Sequence, residues 1–385
     1  MGSRGNGKLL NLNWFGRILA AITFLCTVAQ TAQASARESD FNRRATATAQ
    51  ILAGIAPNPS DLALNRLVET EAFKEHQQWM THSWNQVRGR LQSMETWRGQ
   101  EIKLAGAQKK NLLYPFSGPD FLNAYTFFPD HSRYIFFSLE RPGALPDLES
   151  VTQTQFIKLL QDVRSAFRDI FERNYFITSY MTKQLTTPWI RGSVPVMATM
   201  MALMNRRIVR IEPLDLFPEL NQAYDAPDAK RPRVLMRTVR MEFVQPGSAA
   251  MQQLYYVSLD ATDKALEFYP DFLQWVTQYK PATVLLKSAS YLLHDNQFTK
   301  TRTMLLDAAD VVVQDDTGIP YRFISQNPWQ VKLYGRYNRP IRPMTYGYQK
   351  DLETAYNSRS EQTPLPFPFG YHWRGQQSGL IVAHR

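Results

Sequence analysis

Asn111–Gly143 reads NLLYPFSGPDFLNAYTFFPDHSRYIFFSLERPG, and this stretch decides the fold. NLLYPF is a short apolar run that stops at Ser117-Gly118-Pro119-Asp120. FLNAYTFF follows with helical potential until Pro129-Asp130 breaks it. RYIFFSL is a β-prone run that ends at Glu140-Arg141-Pro142-Gly143. Strand, tight turn, helix and strand within about 30 residues is the size of a βαβ unit, whose two strands run parallel. A second unit follows Pro281: TVLLKSAS as a strand, Tyr291–Ala309 as a helix, and DVVVQDD as a strand ending at Thr317-Gly318. The two units predict an α/β fold with a mainly parallel, Rossmann-like sheet and flanking helices over residues 111–335.

Outward from this core, the spacing of Phe156, Leu159, Leu160, Val163, Phe167, Ile170 and Phe171 predicts one amphipathic helix over Gln153–Gln184. Val194–Ile211 reads as another, with Met197, Met200, Met201 and Met204 as adaptable core. Arg233–Val244 and Gln253–Asp260 read as strands around Pro246-Gly247-Ser248, and Phe268–Tyr279 as a short helix. Trp329–Tyr334 alternates as a half-buried strand does, and Leu380–Ala383 is its expected partner. Residues 37–110 form a helical N-terminal segment. Within it Arg37–Ala56 is a loose lead-in, and a helix opened by Asn58-Pro59-Ser60-Asp61 runs to about Trp97 with a break near Gly89. Residues 336–385 form a Tyr/Pro/Arg-rich wrap that carries the final strand.

Residues 1–36 read as a signal peptide. Arg4, Lys8 and Arg17 precede the short apolar core Ile18–Ala29, and Ala34-Ser35-Ala36 supplies the small residues of a cleavage site. The alternative, an uncleaved anchor, would need a longer span. Cys26 follows Phe24-Leu25, which does not suit a lipoprotein site. The expected address is therefore periplasmic or secreted. Cys26 is the single cysteine, so the rest of the chain has no disulfide, thiolate nucleophile or Cys-ligated metal.

The formal net charge is +10, with 44% hydrophobic and 20% charged residues. Its basic residues are dispersed: Arg206, Arg207 and Arg210, then Lys230, Arg231, Arg233, Arg237 and Arg240, then arginines after Arg336. That lacks the dense stripe of a nucleic-acid binder, so envelope polymers and lipid headgroups are the expected anionic neighbours.

The candidate site comes from topology. Strand ends of one parallel sheet open on a common edge, where α/β proteins bind ligands. That edge would gather Ser117, Gly118, Asp120, Glu140, Arg141, Asp260, Lys287, Ser288, Ser290, Asp315 and Asp316 as ligand-binding candidates. The competing reading makes Asp120 a helix cap and Asp315-Asp316-Thr317-Gly318 an ordinary turn.

The order of YPFSGPDF and SLERPG resembles the nucleoside-binding half of class I methyltransferases. The resemblance implies that Gly118 lies under a cofactor and that Glu140 grips ribose hydroxyls, with an antiparallel end to the sheet at Trp329–Tyr334 and Leu380–Ala383. Ser117-Gly118-Pro119-Asp120 stands where that family repeats glycines, and an exported address argues against an adenosyl cofactor. The chain also resembles a group of exported bacterial proteins sharing YPFSGPDF-like and QDDTGIPYRF-like segments, here Tyr114–Phe121 and Gln314–Phe323. That resemblance implies no activity.

Other chemistry finds less support in the residues. The six histidines (His76, His82, His131, His294, His372, His384) form no metal motif, and no G-x-S-x-G elbow is present. A Ser290–His294–Asp295 set and a Lys287–Ser290 pair are the remaining nucleophile options. Glu140, Asp260, Asp315 and Asp316 are the carboxylates open to acid–base work. In the wrap, Trp329, Tyr334, Tyr337, Tyr346, Tyr348, Tyr356, Tyr371 and Trp373 interleave with Arg336, Arg339, Arg342, Arg359 and Arg374. They serve either to pack the wrap onto the sheet or, as an interaction surface, to hold sugar rings or peptides bearing carboxylates of a partner. The expected function is non-catalytic binding of a small or envelope-derived ligand at the strand-end edge, without metal, cofactor or nucleic acid. A hydrolase and an interaction module are the alternatives.

Overall fold

The computed structural model describes residues 40–58, 62–104, 110–177, 180, 183–225, 230, 234–342, 344–374 and 377–385. The expected signal segment lies outside them, as do Pro59, Ser60 and Asp61. Met1–Arg44 and Ala45–Arg385 are separate compact units, and the sheet with its covering helices belongs to the second.

Nine strands among the described residues form one sheet. They are β1 (Asn111–Pro115), β2 (Arg133–Ser138), β3 (Arg207–Leu214), β4 (Arg237–Val244), β5 (Met251–Ser258), β6 (Ala282–Leu286), β7 (Ala309–Gln314), β8 (Gln330–Gly335) and β9 (Gly379–His384), in the order β3-β4-β5-β2-β1-β6-β7-β9-β8. The pairs β5/β2, β2/β1, β1/β6 and β6/β7 are parallel. The pairs β3/β4, β4/β5, β7/β9 and β9/β8 are antiparallel. The sheet is therefore mixed, and the expected parallel character is confined to its five central strands. The six residues between β4 and β5 are too few for a crossover, so those strands must turn back on each other.

Both faces of the centre are covered, and so β1 and β6 are buried along their whole length and read as continuous apolar runs. Leu112, Tyr114, Phe136 and Tyr256 belong to one core. Helices α1 (Glu71–Glu101), α2 (Phe121–Phe127), α3 (Gln153–Arg173) and α4 (Val194–Leu203) cover it. Leu113, Phe137, Val257 and Val284 point the other way, beneath α5 (Pro270–Thr277), α6 (Thr299–Ala308) and α7 (Lys350–Asn357). The result is a three-layer sandwich.

Several element boundaries differ from expectation. The helix read as Gln153–Gln184 ends at Arg173, because Asn174 adopts the left-handed conformation (φ 74) and closes it. Val194–Ile211 divides at Asn205 (φ 55) into α4 and edge strand β3. The expected break near Gly89 is absent, and the discontinuity lies earlier, where Thr70 caps α1 through its hydroxyl. Residues 45–52 are helical, and Ile51 and Leu52 are buried, so the lead-in is structured from Ala45 onward. Tyr291–Ala309 holds two single 3₁₀ turns before α6 begins at Thr299. The wrap contains α7. Two arginines of the β3/β4 ladder face carboxylates: Arg210 lies opposite Glu242 (3.7 Å), and Arg240 pairs with Glu212. The charge of these two is locally answered.

Strand β9 lies between β7 and β8, with Val312 opposite Ala383 and Leu333 opposite Ile381. A chain ending at Tyr337 should therefore lose two interior ladders and fail to unfold cooperatively on heating. A sharp transition near that of the full chain would contradict this.

Candidate functional site

The crossovers reverse direction between β1 and β6. The β1–α2–β2 connection runs over one face and β6–α6–β7 over the other, which leaves a crevice at the carboxyl ends of β1 and β6. A cleft of about 2060 Å³ opens there. Ser117, Gly118, Asp120, Glu140, Arg141, Asp260, Lys287, Ser288 and Ser290 all line it. Asp315 and Asp316 do not.

At its floor Lys287 and Asp120 form an ion pair (Nζ–Oδ2 2.9 Å), both side chains being almost wholly buried. Lys287 is the first residue past β6, and Asp120 caps α2, accepting from Asn123 N (3.1 Å). Tyr114 Oη donates to the same carboxylate (2.9 Å), and Asn123 Nδ2 adds bonds to both oxygens. Lys287 also donates to the Asn174 carbonyl at the end of α3. Burial pushes the lysine pKa down and Asp120 opposes the shift. Burial and the carboxylate raise that of Tyr114 well above the phenol range. Cap and ligand candidate, the two readings of Asp120, thus coincide in position, but its oxygens are already engaged.

The loop after β6 is held in an uncommon shape. Ser288, Ser290 and Tyr291 all have positive φ (52, 54 and 55). Its polar backbone is tied by distant side chains rather than by secondary structure. Ser288 N donates to Asp315 Oδ2 (2.8 Å) and Ala289 N to Thr317 Oγ1 (2.7 Å). Tyr371 Oη donates to Ser288 O (3.0 Å) and meets Ser290 Oγ (2.8 Å), while Tyr346 Oη donates to Ser290 O. Asp315 and Asp316 therefore hold this loop from behind instead of facing the cleft. Close packing explains why: a Cβ on Gly370 (φ +65) would sit 2.1 Å from Asp315 Oδ2. Tyr291 Oη donates to Asp316 Oδ2 (2.5 Å). Burial and the neighbouring Asp315 charge push Asp316 up to about 7, and burial raises Asp315 as well.

Glu140 lies two residues past β2, over hydroxyls buried at the β2/β5 ends. Tyr256 Oη contacts Ser138 Oγ (2.9 Å), accepts from Ser193 Oγ (2.8 Å) and donates to the Glu140 carbonyl (3.0 Å). Burial raises the Glu140 carboxyl pKa, with Ser138 opposing. Asp260 stands at the equivalent place past β5, since Ser138 and Ser258 are register partners. Its Oδ1 accepts from Thr262 N (3.0 Å).

The rest of the wall includes residues that strand-end reasoning does not reach, among them Tyr175, Phe176, Trp189, Thr238 and the crossing of Gly143 with Gly192. A Cβ on Gly143 (φ +66) would lie 1.2 Å from Arg191 O, so only glycine permits that crossing. In sequence these residues carry no signal beyond aromatic type. His294 does not line the cleft, and Ser290 Oγ bonds Tyr371 Oη, so the expected Ser290–His294 pairing is not what this hydroxyl makes; burial and nearby Arg322 lower the His294 pKa to about 4. No group of His, Cys, Asp and Glu among the described residues is arranged to hold a metal ion. None of the described helices is long and apolar enough to cross a membrane. Comparison with protein-family models, with curated proteins and with solved structures finds no match to this chain.

Replacing Lys287 by Met leaves the Asp120 carboxylate buried without its cation, and should cost about 3–5 kcal/mol in urea unfolding. Adding Asp120→Asn should restore part of that loss; a double variant less stable than the single one would contradict this account. The second expectation concerns pH. Asp316 binds its proton more tightly in the folded chain than in the unfolded one. Its contribution is complete below the ordinary carboxylate range and is lost as pH rises through about 7. The melting temperature should therefore fall less from pH 5 to pH 8 in Asp316→Asn than in the parent, and parallel profiles would exclude Asp316 as the cause.

Proposed function

We propose that this protein binds a small or envelope-derived ligand in the strand-end cleft without transforming it. The observation that carries the reading is convergence: residues from four separate loops, following β1, β2, β5 and β6, line one cleft at the point where the crossovers reverse. The non-catalytic part follows from how the acidic groups are used. Asp120 is neutralised by Lys287 and Asp260 accepts a backbone N–H, while Glu140, beside the Ser138 hydroxyl and its own amide, has its pKa raised by burial, which suits a neutral carboxyl meeting a ligand. Export, as read from residues 1–36, would place that ligand in the cell envelope.

Kinship with the class I methyltransferase fold is supported by the central parallel strands, the reversal at β1/β6 and the antiparallel end formed by β9. The engaged Asp120–Lys287 pair beside Gly118 speaks against a retained adenosyl site. A second reading, a hydrolase, is favoured by one arrangement. Glu140 and Asp260 extend equivalently from adjacent strands, and a carboxyl with a raised pKa suits a general acid.

The full chain heated with a panel of nucleosides, sugars and cell-wall fragments tests the binding reading. At ligand 100-fold above Kd the expected stabilisation is about 2.7 kcal/mol. It should disappear in Glu140→Ala and persist in Lys158→Ala, on the exposed side of α3. A panel with no shift removes the cleft reading, and consumption of the bound compound replaces it with the hydrolase.

A further inference from the structure

We infer that the ligand of this cleft carries an acidic group, a carboxylate or a phosphate, on an apolar body, and that Arg141 and Arg191 hold that group; the inference rests on the binding reading above. Arg141 follows β2, Arg191 leads into α4, and both residues line the cleft. The glycine crossing brings them together. A Cβ on Gly192 (φ +94) would lie 2.4 Å from Arg141 O, just as one on Gly143 would meet Arg191 O. Ser193 N donates to Arg141 O (3.0 Å) and Val194 N to Pro142 O (2.8 Å), which fastens the two segments to each other. Two exposed arginines are thus held side by side, although their charges repel. Among the described residues neither forms an ion pair, whereas Arg173, Arg210 and Arg240 do. Helix α4 begins at the same place and adds the positive end of its dipole. Its first turn has no acidic residue, and the Ser193 hydroxyl donates to Tyr256 Oη instead of capping it. An oxyanion placed there would answer both guanidinium groups and the dipole at once.

The acidic residues of the lining are occupied elsewhere. Asp120 is paired with Lys287 at the floor. Asp147, Asp215 and Asp260 each accept a backbone N–H in their own turns, from Glu149, Phe217 and Thr262. Burial shifts the Glu140 carboxyl toward its neutral form, with Ser138 and its own amide as partners. Arg237, the third arginine of the lining, begins β4 beside Thr238, which pairs with Leu214 of β3. Asp215 therefore stands on the adjoining strand end and offsets the charge of Arg237, which Arg141 and Arg191 lack. The apolar body follows from what flanks the pair. Leu139, 53% exposed, lies two residues before Arg141, and half-buried Trp189 lies two residues before Arg191. Both line the cleft, as do half-buried Leu145 and Phe176. Covering this surface favours a ligand with an apolar part next to its acidic group.

Calorimetric titration of the full chain with octanoate and octyl phosphate, beside octanol, octylammonium and inorganic phosphate, tests the inference. At least one octyl anion should bind about tenfold or more tightly than each of the other three probes, and the better of the two separates a carboxylate from a phosphate. Arg141→Gln and Arg191→Gln should each weaken that binding by at least about tenfold at an unchanged melting temperature. Arg191 Nε also donates to Pro188 O (3.2 Å), so Arg141→Gln, whose side chain has no hydrogen bond among the described residues, is the deciding variant. Arg237→Gln, and Arg207→Gln on exposed backbone at the far end of β3, should each weaken it by less than about threefold. A loss in either of these as large as in Arg141→Gln makes the attraction diffuse and overturns the assignment to Arg141 and Arg191. Tighter binding of octanol or octylammonium, abolished by Glu140→Ala, overturns the ligand class and leaves the cleft reading standing. Silence from every probe overturns the inference, and the cleft reading falls with it only if the thermal panel is silent too.

Discussion

The Asp120–Lys287 ion pair is the constraint around which this fold is arranged. Two charges removed from water at the centre of a sheet are tolerable only when each has its partner and its remaining hydrogen bonds. Here those bonds come from four elements. Asp120 caps α2, Lys287 follows β6, Tyr114 rises from β1, and the Asn174 carbonyl closes α3. The pair therefore fixes the register of the crevice as well as filling its floor. It also explains the end of α3: Asn174 in the left-handed conformation turns its carbonyl toward the lysine, which a helix continuing to Gln184 would not do.

The tyrosines of the C-terminal wrap serve the same end from outside. Tyr356 Oη donates to carbonyls of both Tyr334 and Leu380, locking α7 over the β8/β9 ladder. Tyr334 donates to Glu101 at the end of α1, and Trp97 packs edge-on against Tyr334 and Phe367. Tyr371 and Tyr346 secure the strained loop after β6. Each left-handed serine there costs about 1–3 kcal/mol, and the backbone hydrogen bonds donated to Asp315 and Thr317, with the one accepted from Tyr371, offset that cost. Tyr346 and Tyr348 keep much of their surface in water, Tyr337 and Tyr371 are half-buried, and Tyr356 is buried. These contacts fasten the wrap to the sheet.

The legible parts of the fold were those governed by local pattern. Asn111–Gly143 specifies its βαβ unit because apolar runs, a Gly-Pro turn and Pro129-Asp130 fall at the element boundaries. The strand-end edge was expected only if this unit and the one after Pro281 shared a parallel sheet. The sequence was silent where a distant residue decides the local structure. Nothing near Ser288 announces that Tyr371 will hold it, and nothing in DVVVQDD distinguishes carboxylates that face a ligand from ones that brace a neighbouring loop. Asn174 and Asn205 ended helices whose apolar spacing continued past them, because left-handed asparagine overrides periodicity. The β8/β9 pairing was legible in the alternation of Trp329–Tyr334 and the apolar run Leu380–Ala383, whereas the placing of β9 against β7 depends on a partner far back in the chain, beyond any window of local pattern.

That last strand has a consequence for how the molecule comes into being. β8 finds no neighbour in the sheet until Gly379–His384 arrives between it and β7. Strands β1 to β7 pair among themselves, whereas the β8 edge depends wholly on β9, and β9 reaches β7 across the whole of the wrap. Closure of that end of the sheet therefore rests on contacts of long sequence separation, which form more slowly than local ones.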